Sequence, residues 1–310
     1  MARQLKNKIS ESKALLPVVV VYTALVWLAG GLVEEQLWVE MACFLATAYI
    51  VAETLRSNAL ISIYSSMGTA AFMTLSCAAC FSIGDTAATI ITLCMAALIM
   101  IIFNSYQKKD SPVWTYYAFV FLGGASLMDA DMLYYAPLLW ILMSSSLMSL
   151  CWRNFIASLL GMLTPYWFAG LYFLYKADAA TPINHFSTLW QFCPIADLSS
   201  LDAGRWAAAA LMIIVAITGI VHYQRYRHND NIKNRMLNDF LMVMTVATAV
   251  FIVLQPCHFD NLIRIMALCS APLIAHFISL TETRAANIFF IALTTAAVGI
   301  TIYNTVWTHL

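Results

Sequence analysis

Charge is what this sequence has least of. Only 10% of its 310 residues are Asp, Glu, Lys or Arg, where an ordinary soluble domain carries about 25%. Sixteen basic and sixteen acidic side chains cannot cover a soluble fold of this length. Nor could such a fold hide a hydrophobic fraction of 62% and a mean hydropathy of +0.79. Soluble enzymes and disordered chains are therefore excluded together. The two signs cancel, and there is no basic patch of the size nucleic acid requires, so a nucleic-acid partner is excluded as well. The eight cysteines do not make a secreted disulfide scaffold. Cys43, Cys94, Cys151 and Cys269 lie in apolar runs, where a thiol behaves as a small hydrophobe. No internal repeat is visible, so the inverted-repeat architecture of many secondary transporters has no support. Mid-span charge is almost absent, and it is there that ion-coupled carriers place acids and histidines. His222 and His276 come nearest, and both are expected at the inner ends of their helices as satisfied interfacial residues. No motif asks for a cofactor, and none is expected.

What the sequence does have is long uncharged runs. A bilayer core of about 30 Å takes roughly 20 apolar residues per helix. The runs are Ala14–Val33, Met41–Ala52, Ser57–Gly84, Thr86–Gln107, Ser111–Met128, Met132–Trp152, Asn154–Tyr175, Trp206–Gln224, Phe240–Phe259, Ile265–Thr281 and Ala285–Leu310. They predict an all-α fold: a polytopic bundle of about eleven transmembrane helices, forming a single domain over residues 1–310. Met41–Ala52 is short and needs Trp38, Val39 and Glu40 to reach across; Ile265–Thr281 is the next weakest. Arg3, Lys6, Lys8 and Lys13 would suit a signal peptide. The first apolar run is too long for one, however, and Ala29-Gly30-Gly31 is a poor cleavage site, so an uncleaved first helix is expected.

Charge asymmetry gives the orientation. With the N-terminus inside, the inner segments hold Arg3, Lys6, Lys8, Lys13, Arg56, Lys108, Lys109, Arg153, Arg225, Arg227, Lys233, Arg235 and Arg284, which is 13 of the 16 basic residues. Lys176, Arg205 and Arg264 are left outside. The acids Glu11, Glu53, Asp110, Asp230, Asp239 and Glu282 fall inside and the other ten outside, among them Glu34, Glu35, Glu40, Asp85, Asp178, Asp197 and Asp202. Basic residues in short loops stay in the cytoplasm, which places the N-terminus in and the C-terminus out.

Most connections are short and force neighbouring helices antiparallel. The exception is the outer loop 176–205. It carries His185, Phe186, Leu189, Trp190 and Phe192 and is expected to hold an interfacial helix. Small residues and hydroxyls (Gly123, Gly124 and Ala125; Ser65 and Ser66; Ser144 to Ser146) suit close helix packing. Pro137, Pro165 and Pro272 are expected to kink their helices.

Candidate chemistry gathers on the outer side. Glu35, beside Glu34, can act as a base, or be a solvated loop charge. Asp129 and Asp131 can share a hard divalent cation, or cap the helix that follows. His258 and Asp260 precede Arg264. Asp260 and Arg264 are four residues apart and can simply pair; alternatively, an Arg at the membrane surface beside a His can grip a phosphate oxygen. The expected roles are therefore catalytic for Glu35, His258 and Asp260, substrate-binding for Arg264, Arg153 and Trp190, and metal-binding for Asp129 and Asp131. Cys77-Ala78-Ala79-Cys80 has the spacing of a redox pair, with Cys193 and Cys257 also outside, but two small residues packed against a neighbour explain it more simply.

Two adjoining stretches, SLMDADMLYYAPLLW (Ser126–Trp140) and WRNFIASLLGMLTPYWF (Trp152–Phe168), resemble a family of polytopic inner-membrane proteins of Bacteroidetes. Arg153, Gly161 and Pro165 match best. The resemblance implies a Gram-negative inner membrane; it carries no reaction. Two functions are expected in competition. One is an enzyme acting on lipid-linked envelope glycans at the periplasmic face, like a glycosyltransferase or polymerase, although the first outer loop is short for such an enzyme. The other is a transporter or flippase, or a non-catalytic subunit of an envelope complex. Both have the lipid bilayer as a partner, and the first also a lipid-linked glycan.

Overall fold

A computed structural model describes residues 12, 14–60, 66–176, 180–191, 201–281 and 283–307. Arg3, Lys6, Lys8, Glu11, Lys13, Ser65, Asp178, Phe192, Cys193, Asp197 and Glu282, named above, lie outside them. The described residues form helices and turns, with no strand among them. The α-helices are α1 (Leu15–Ala29), α2 (Trp38–Ser57), α3 (Met67–Ala78), α4 (Thr86–Phe103), α5 (Pro112–Met128), α6 (Tyr135–Ser145), α7 (Trp152–Tyr175), α8 (Ala180–Ser187), α9 (Ala203–Tyr226), α10 (Ile232–Leu254), α11 (Phe259–Leu280) and α12 (Arg284–Trp307).

Each uncharged run carries a helix, and α8 is the short helix expected in the long loop. Seven helices among the described residues, α2, α4, α7, α9, α10, α11 and α12, are long and apolar enough to cross a membrane. The other four fall short of that length. The most abbreviated is α6, with 11 residues, about 16 Å at 1.5 Å per residue. Its run was expected to continue to Trp152. Instead the helix stops in the Ser144–Ser146 hydroxyl run, and the chain turns back through Met148, which has a φ of 50°. Gln107 donates its amide to the Leu147 carbonyl across this turn. Pro137 was expected in mid-helix but is the third residue of α6. A proline costs little in the first turn, where amides have no partner within the helix. Pro165 and Pro272 do lie inside α7 and α11.

Local chemistry sets the helix ends. Asp85 caps α4, its carboxylate accepting from the Ala87 and Ala88 amides at 3.0 and 3.2 Å. Hydroxyls inside apolar helices bond back to the carbonyl four residues earlier, as Thr47, Thr92, Thr245 and Thr248 do, so they need no water. Helix α11 is the axis of the bundle, enclosed by α3, α4, α9 and α10, and 94% of its apolar window is buried. Helices α5 and α7 form the most extensive pair. Their backbones meet at Gly123 and Gly161, where an added Cβ would sit 2.6 and 2.4 Å from the Met162 and Tyr116 carbonyl oxygens.

Contacts define two ends. Residues near 35, 85, 129, 185, 205 and 258 meet at one end, referred to here as the Asp129 end. At the other, Arg153 pairs with Asp110, and Asn234 reaches the Ala59 carbonyl.

Candidate functional site

The site grows from the break between α5 and α6. Asp129 leaves α5 in an extended conformation, and its Oδ1 accepts the Asp131 amide at 3.2 Å, capping a 3-10 turn over Ala130–Tyr134. The cap expected of this pair on the following helix is thus made by Asp129 alone and on the 3-10 turn, not on α6, whose N-cap Tyr134 makes no side-chain capping bond, and it uses only one oxygen. Asp129 Oδ2 faces His258 Nδ1 at 2.7 Å and accepts from Asn261 Nδ2 at 2.8 Å. Asp131 Oδ2 lies 3.1 Å from His258 Nε2. The histidine reaches this position because Gln255 ends α10 and Pro256 opens a second 3-10 turn, Pro256–His258, before α11 begins. With a carboxylate at each ring nitrogen, both contacts are hydrogen bonds when the ring is an imidazolium. Burial would raise the Asp129 carboxyl, but the hydrogen bonds and charge of His258, with Asn261 and the Asp131 amide, hold it below the usual carboxylate range. The Asp129 and Asp131 side chains keep only 10% and 7% exposure, and His258 keeps 30%.

One ligand atom from each of Asp129, Asp131 and His258 lies within 4.8 Å of the others, a group able to hold a metal ion. Two oxygens and an imidazole nitrogen suit a divalent cation of the Mn²⁺ or Zn²⁺ type. Ligation needs a nitrogen lone pair, so such a cation competes with a histidine proton.

Beside this group opens a cavity of about 340 Å³. Met132, Tyr135, Phe251, Leu254 and Leu262 form its apolar walls, while Asp131, Tyr134, Gln255 and His258 bring the polar groups. The loop after α7 folds over the same end. His185 Nε2 meets the Ser126 carbonyl at 2.9 Å, Tyr166 donates to Ser126 Oγ at 2.8 Å, and Tyr134 donates to the Leu189 carbonyl at 2.6 Å.

Other expected residues fall elsewhere. Asp260 does not pair with Arg264; it takes a two-pronged contact from Arg205 at 3.1 and 3.0 Å. Arg264 is not a surface cation. It is 8% exposed and donates to Thr89 Oγ1 at 2.6 Å, on the wall of a narrow cavity shared with Trp27, Thr47, Ser76 and Thr92. Glu35 is exposed and lies over Gly84, in the turns that join α1 to α2 and α3 to α4, outside the Asp129 group. Arg153 is a whole helix away at the opposite end, in an exposed pair with Asp110. Trp190 is 84% exposed; its neighbour Leu189 makes the contact through its carbonyl. Cys77 and Cys80 are buried free thiols against Thr23 and Thr305, and Cys257 is disulfide-bonded.

Comparison with family models, with curated proteins and with solved structures finds no match for this chain.

Tyr134, Gln255 and Asn261 were not anticipated. Asn261 follows Asp260, and one position decides which acid it meets, a register that sequence does not reveal. Gln255-Pro256 was the available signal: a polar residue before a helix-breaking proline at the end of an apolar run.

Proposed function

We propose that this is a multi-pass protein of a Gram-negative inner membrane that acts at the periplasmic face on a lipid-linked envelope glycan, in the manner of a glycosyltransferase or polymerase. In this reading about eleven helices cross the membrane, with the N-terminus in the cytoplasm and the C-terminus outside. The Asp129 end then faces the periplasm, which suits the disulfide at Cys257, since such bonds persist in oxidising compartments. The segment resembling Bacteroidetes inner-membrane proteins supplies α6 and α7, and with them the Met132–Tyr135 side of the cavity.

The observation that carries the proposal is the cavity beside Asp131 and His258. Its volume is at the lower end of small-molecule sites, and it joins an apolar wall to ionisable groups. That combination suits an amphiphile whose first isoprenoid units lie against Phe251, Leu254 and Leu262 while its phosphate reaches Asp131 and His258. Bare carboxylates repel a phosphate. Asp129, Asp131 and one nitrogen of His258 would hold a divalent cation, which would supply the positive charge that overcomes this repulsion. Asp129, itself held by Asn261, fixes the His258 ring from the Nδ1 side, and Nε2, which faces Asp131, is the nitrogen that would ligate the cation or exchange a proton with a sugar hydroxyl. Glu35, Asp260, Arg264 and Trp190 then belong to the surroundings of the site at the same end of the bundle, and Arg153 does not belong to it.

The test is a photoreactive polyprenyl-phosphate probe applied to membranes containing the chain. The proposal expects label on Met132–Tyr135 and Phe251–Leu262, lost when Leu262→Trp fills the cavity. Label spread over α7 and α12 and indifferent to Leu262→Trp would reject it. The transporter or flippase reading draws on the buried Arg264, a cation inside the helical bundle. Movement of the probe across a vesicle bilayer without glycan transfer would select that reading.

A further inference from the structure

The end of the bundle opposite Asp129 sorts its charges by sign. In the segment that joins α9 to α10, both acids are turned inward. Asp230 is buried, with its Oδ2 3.0 Å from His276 Nε2 on α11. Asp239 accepts from the Tyr223 hydroxyl at 2.9 Å and pairs with Arg227 at 3.3 Å. Arg225 and Lys233 of the same segment are exposed, as is Arg284 at the start of α12. Among the described residues none of these three pairs with an acid, whereas Arg56 and Arg153 at this end do, with Glu53 and Asp110. The surface of this edge is therefore positive, although the acids lie close to it in sequence.

Two of the cations stand at the heads of exposed apolar stripes. On α9, Ile214, Ile217 and Val221 are exposed and recur at steps of three and four residues, and Arg225 comes four residues later. On α12, Arg284 is followed by the exposed Ile288 and Ile291, four and seven residues on. The two helices are neighbours, and at this end rings tie them together through α11. Phe277 meets His222 of α9 at 5.2 Å and Phe289 of α12 at 5.7 Å. Tyr226 and Ile232 add exposed apolar surface in the same segment as Arg225 and Lys233. Both α9 and α12 are long and apolar enough to cross a membrane. One turn beyond the apolar stripe is where a bilayer's hydrocarbon gives way to its headgroups.

We propose that this edge binds anionic phospholipid. The headgroup phosphate meets Arg225 and Arg284, Lys233 adds to the attracting field, and the acyl chains lie along Ile217 and Val221 of α9 and Ile288 and Ile291 of α12. A guanidinium fork matches phosphate oxygens, and a cation at headgroup level attracts a net negative lipid. A zwitterionic lipid brings its own ammonium, which these cations repel, so the preference is for the negative headgroup. A soluble polyanion has nothing to lay along the two stripes. The bias of basic residues to one side of a membrane requires only their number. It requires neither that the neighbouring acids turn inward nor that an arginine head each stripe. The inference goes beyond the reading of the Asp129 end and does not depend on it.

The test uses two photoreactive phospholipids with the same diazirine-bearing acyl chain, one a phosphatidylglycerol and the other a phosphatidylcholine. Each is added in trace to phosphatidylcholine vesicles that hold the full-length protein, and the crosslinked residues are located by peptide mass spectrometry. The phosphatidylglycerol probe should label residues 214–226 and 284–291 about fivefold or more over the phosphatidylcholine probe, while the two label α7 alike. Arg225→Gln with Arg284→Gln should remove that excess. Arg56→Gln, whose cation is already paired, should keep it. Equal labelling by the two probes, or an excess that survives the double variant, would overturn the proposal. Displacement of the probe by inorganic phosphate would overturn it as well, since the edge would then be a site for a soluble anion. If the double variant fails to fold, the ratio of the two probes on the unmodified protein still decides.

Discussion

Replacing His258 with Gln is the most informative perturbation of the Asp129 end. Gln has a similar reach and can still donate to one carboxylate, but it removes the positive charge between two acids that keep 10% and 7% exposure. Stranding a buried charge costs about 3–5 kcal/mol. His258 itself keeps 30% exposure, and water screens part of the effect, so the lower end applies, about 3 kcal/mol. For a chain of this size that corresponds to a fall of roughly 5 °C in Tm. The pH dependence gives the sign independently. In the unmodified protein Asp129 is held below its ordinary value of 3.8. Its contribution is therefore present above that pH and lost only as pH falls through the lower folded value. The two carboxylates in turn hold His258 up to about 10, so its contribution is complete below about pH 6.5 and is lost as pH rises through 10; the unmodified protein should therefore gain stability as pH falls from about 9 to 6.5, and His258→Gln, which has no imidazole there, should not. The assay is thermal unfolding in detergent followed by thiol labelling, since Cys77, Cys80 and Cys269 are buried and react as the bundle opens. If the variant matches the unmodified protein in Tm at pH 7.5 and in its pH profile, the imidazolium bridge does not exist.

Three further outcomes are expected. Gly161→Ala places a methyl against the Tyr116 carbonyl, and should cost about 1–3 kcal/mol in thermal unfolding by forcing α5 from α7; Gly170→Ala, with open space around it, is the matched control. Asp85→Ala removes the cap of α4 and should cost about 1 kcal/mol in the same assay. Cys77→Ala with Cys80→Ala should cost no more than about 2 kcal/mol, because each loses a sulfur against a threonine hydroxyl and no disulfide; a redox-dependent gel shift in the unmodified protein that the double variant abolishes would contradict this.

The helices were legible because their cause is local. An uncharged run must satisfy its backbone internally, and that requirement alone puts a helix on every run from Ala14–Val33 to Ala285–Leu310. Helix lengths were less legible. The end of α6 depends on a backbone reversal at Met148 that a run of apolar letters conceals, and Pro137 reads as a kink until the start of α6 is known. At the site, Asp129, Asp131 and His258 were each visible as loop residues on one side. Their convergence was not, because 127 residues separate Asp131 from His258 and only the meeting of the turn after α5 with the Pro256–His258 turn brings them together. Arg264 shows the same limit in reverse. Its four-residue spacing from Asp260 suggests a pair, yet the helix turns Asp260 to Arg205 and Arg264 inward to Thr89.

The most direct measurement is mass spectrometry of the lipids that stay bound when the chain is purified from its own membrane in mild detergent. The amphiphile reading predicts a polyprenyl phosphate or diphosphate, enriched over its share of the membrane, retained by the unmodified protein and lost from Leu262→Trp, whose new ring occupies the cavity beside Asp131 and His258. Bulk phospholipids alone, in the same proportions with and without Leu262→Trp, would contradict it.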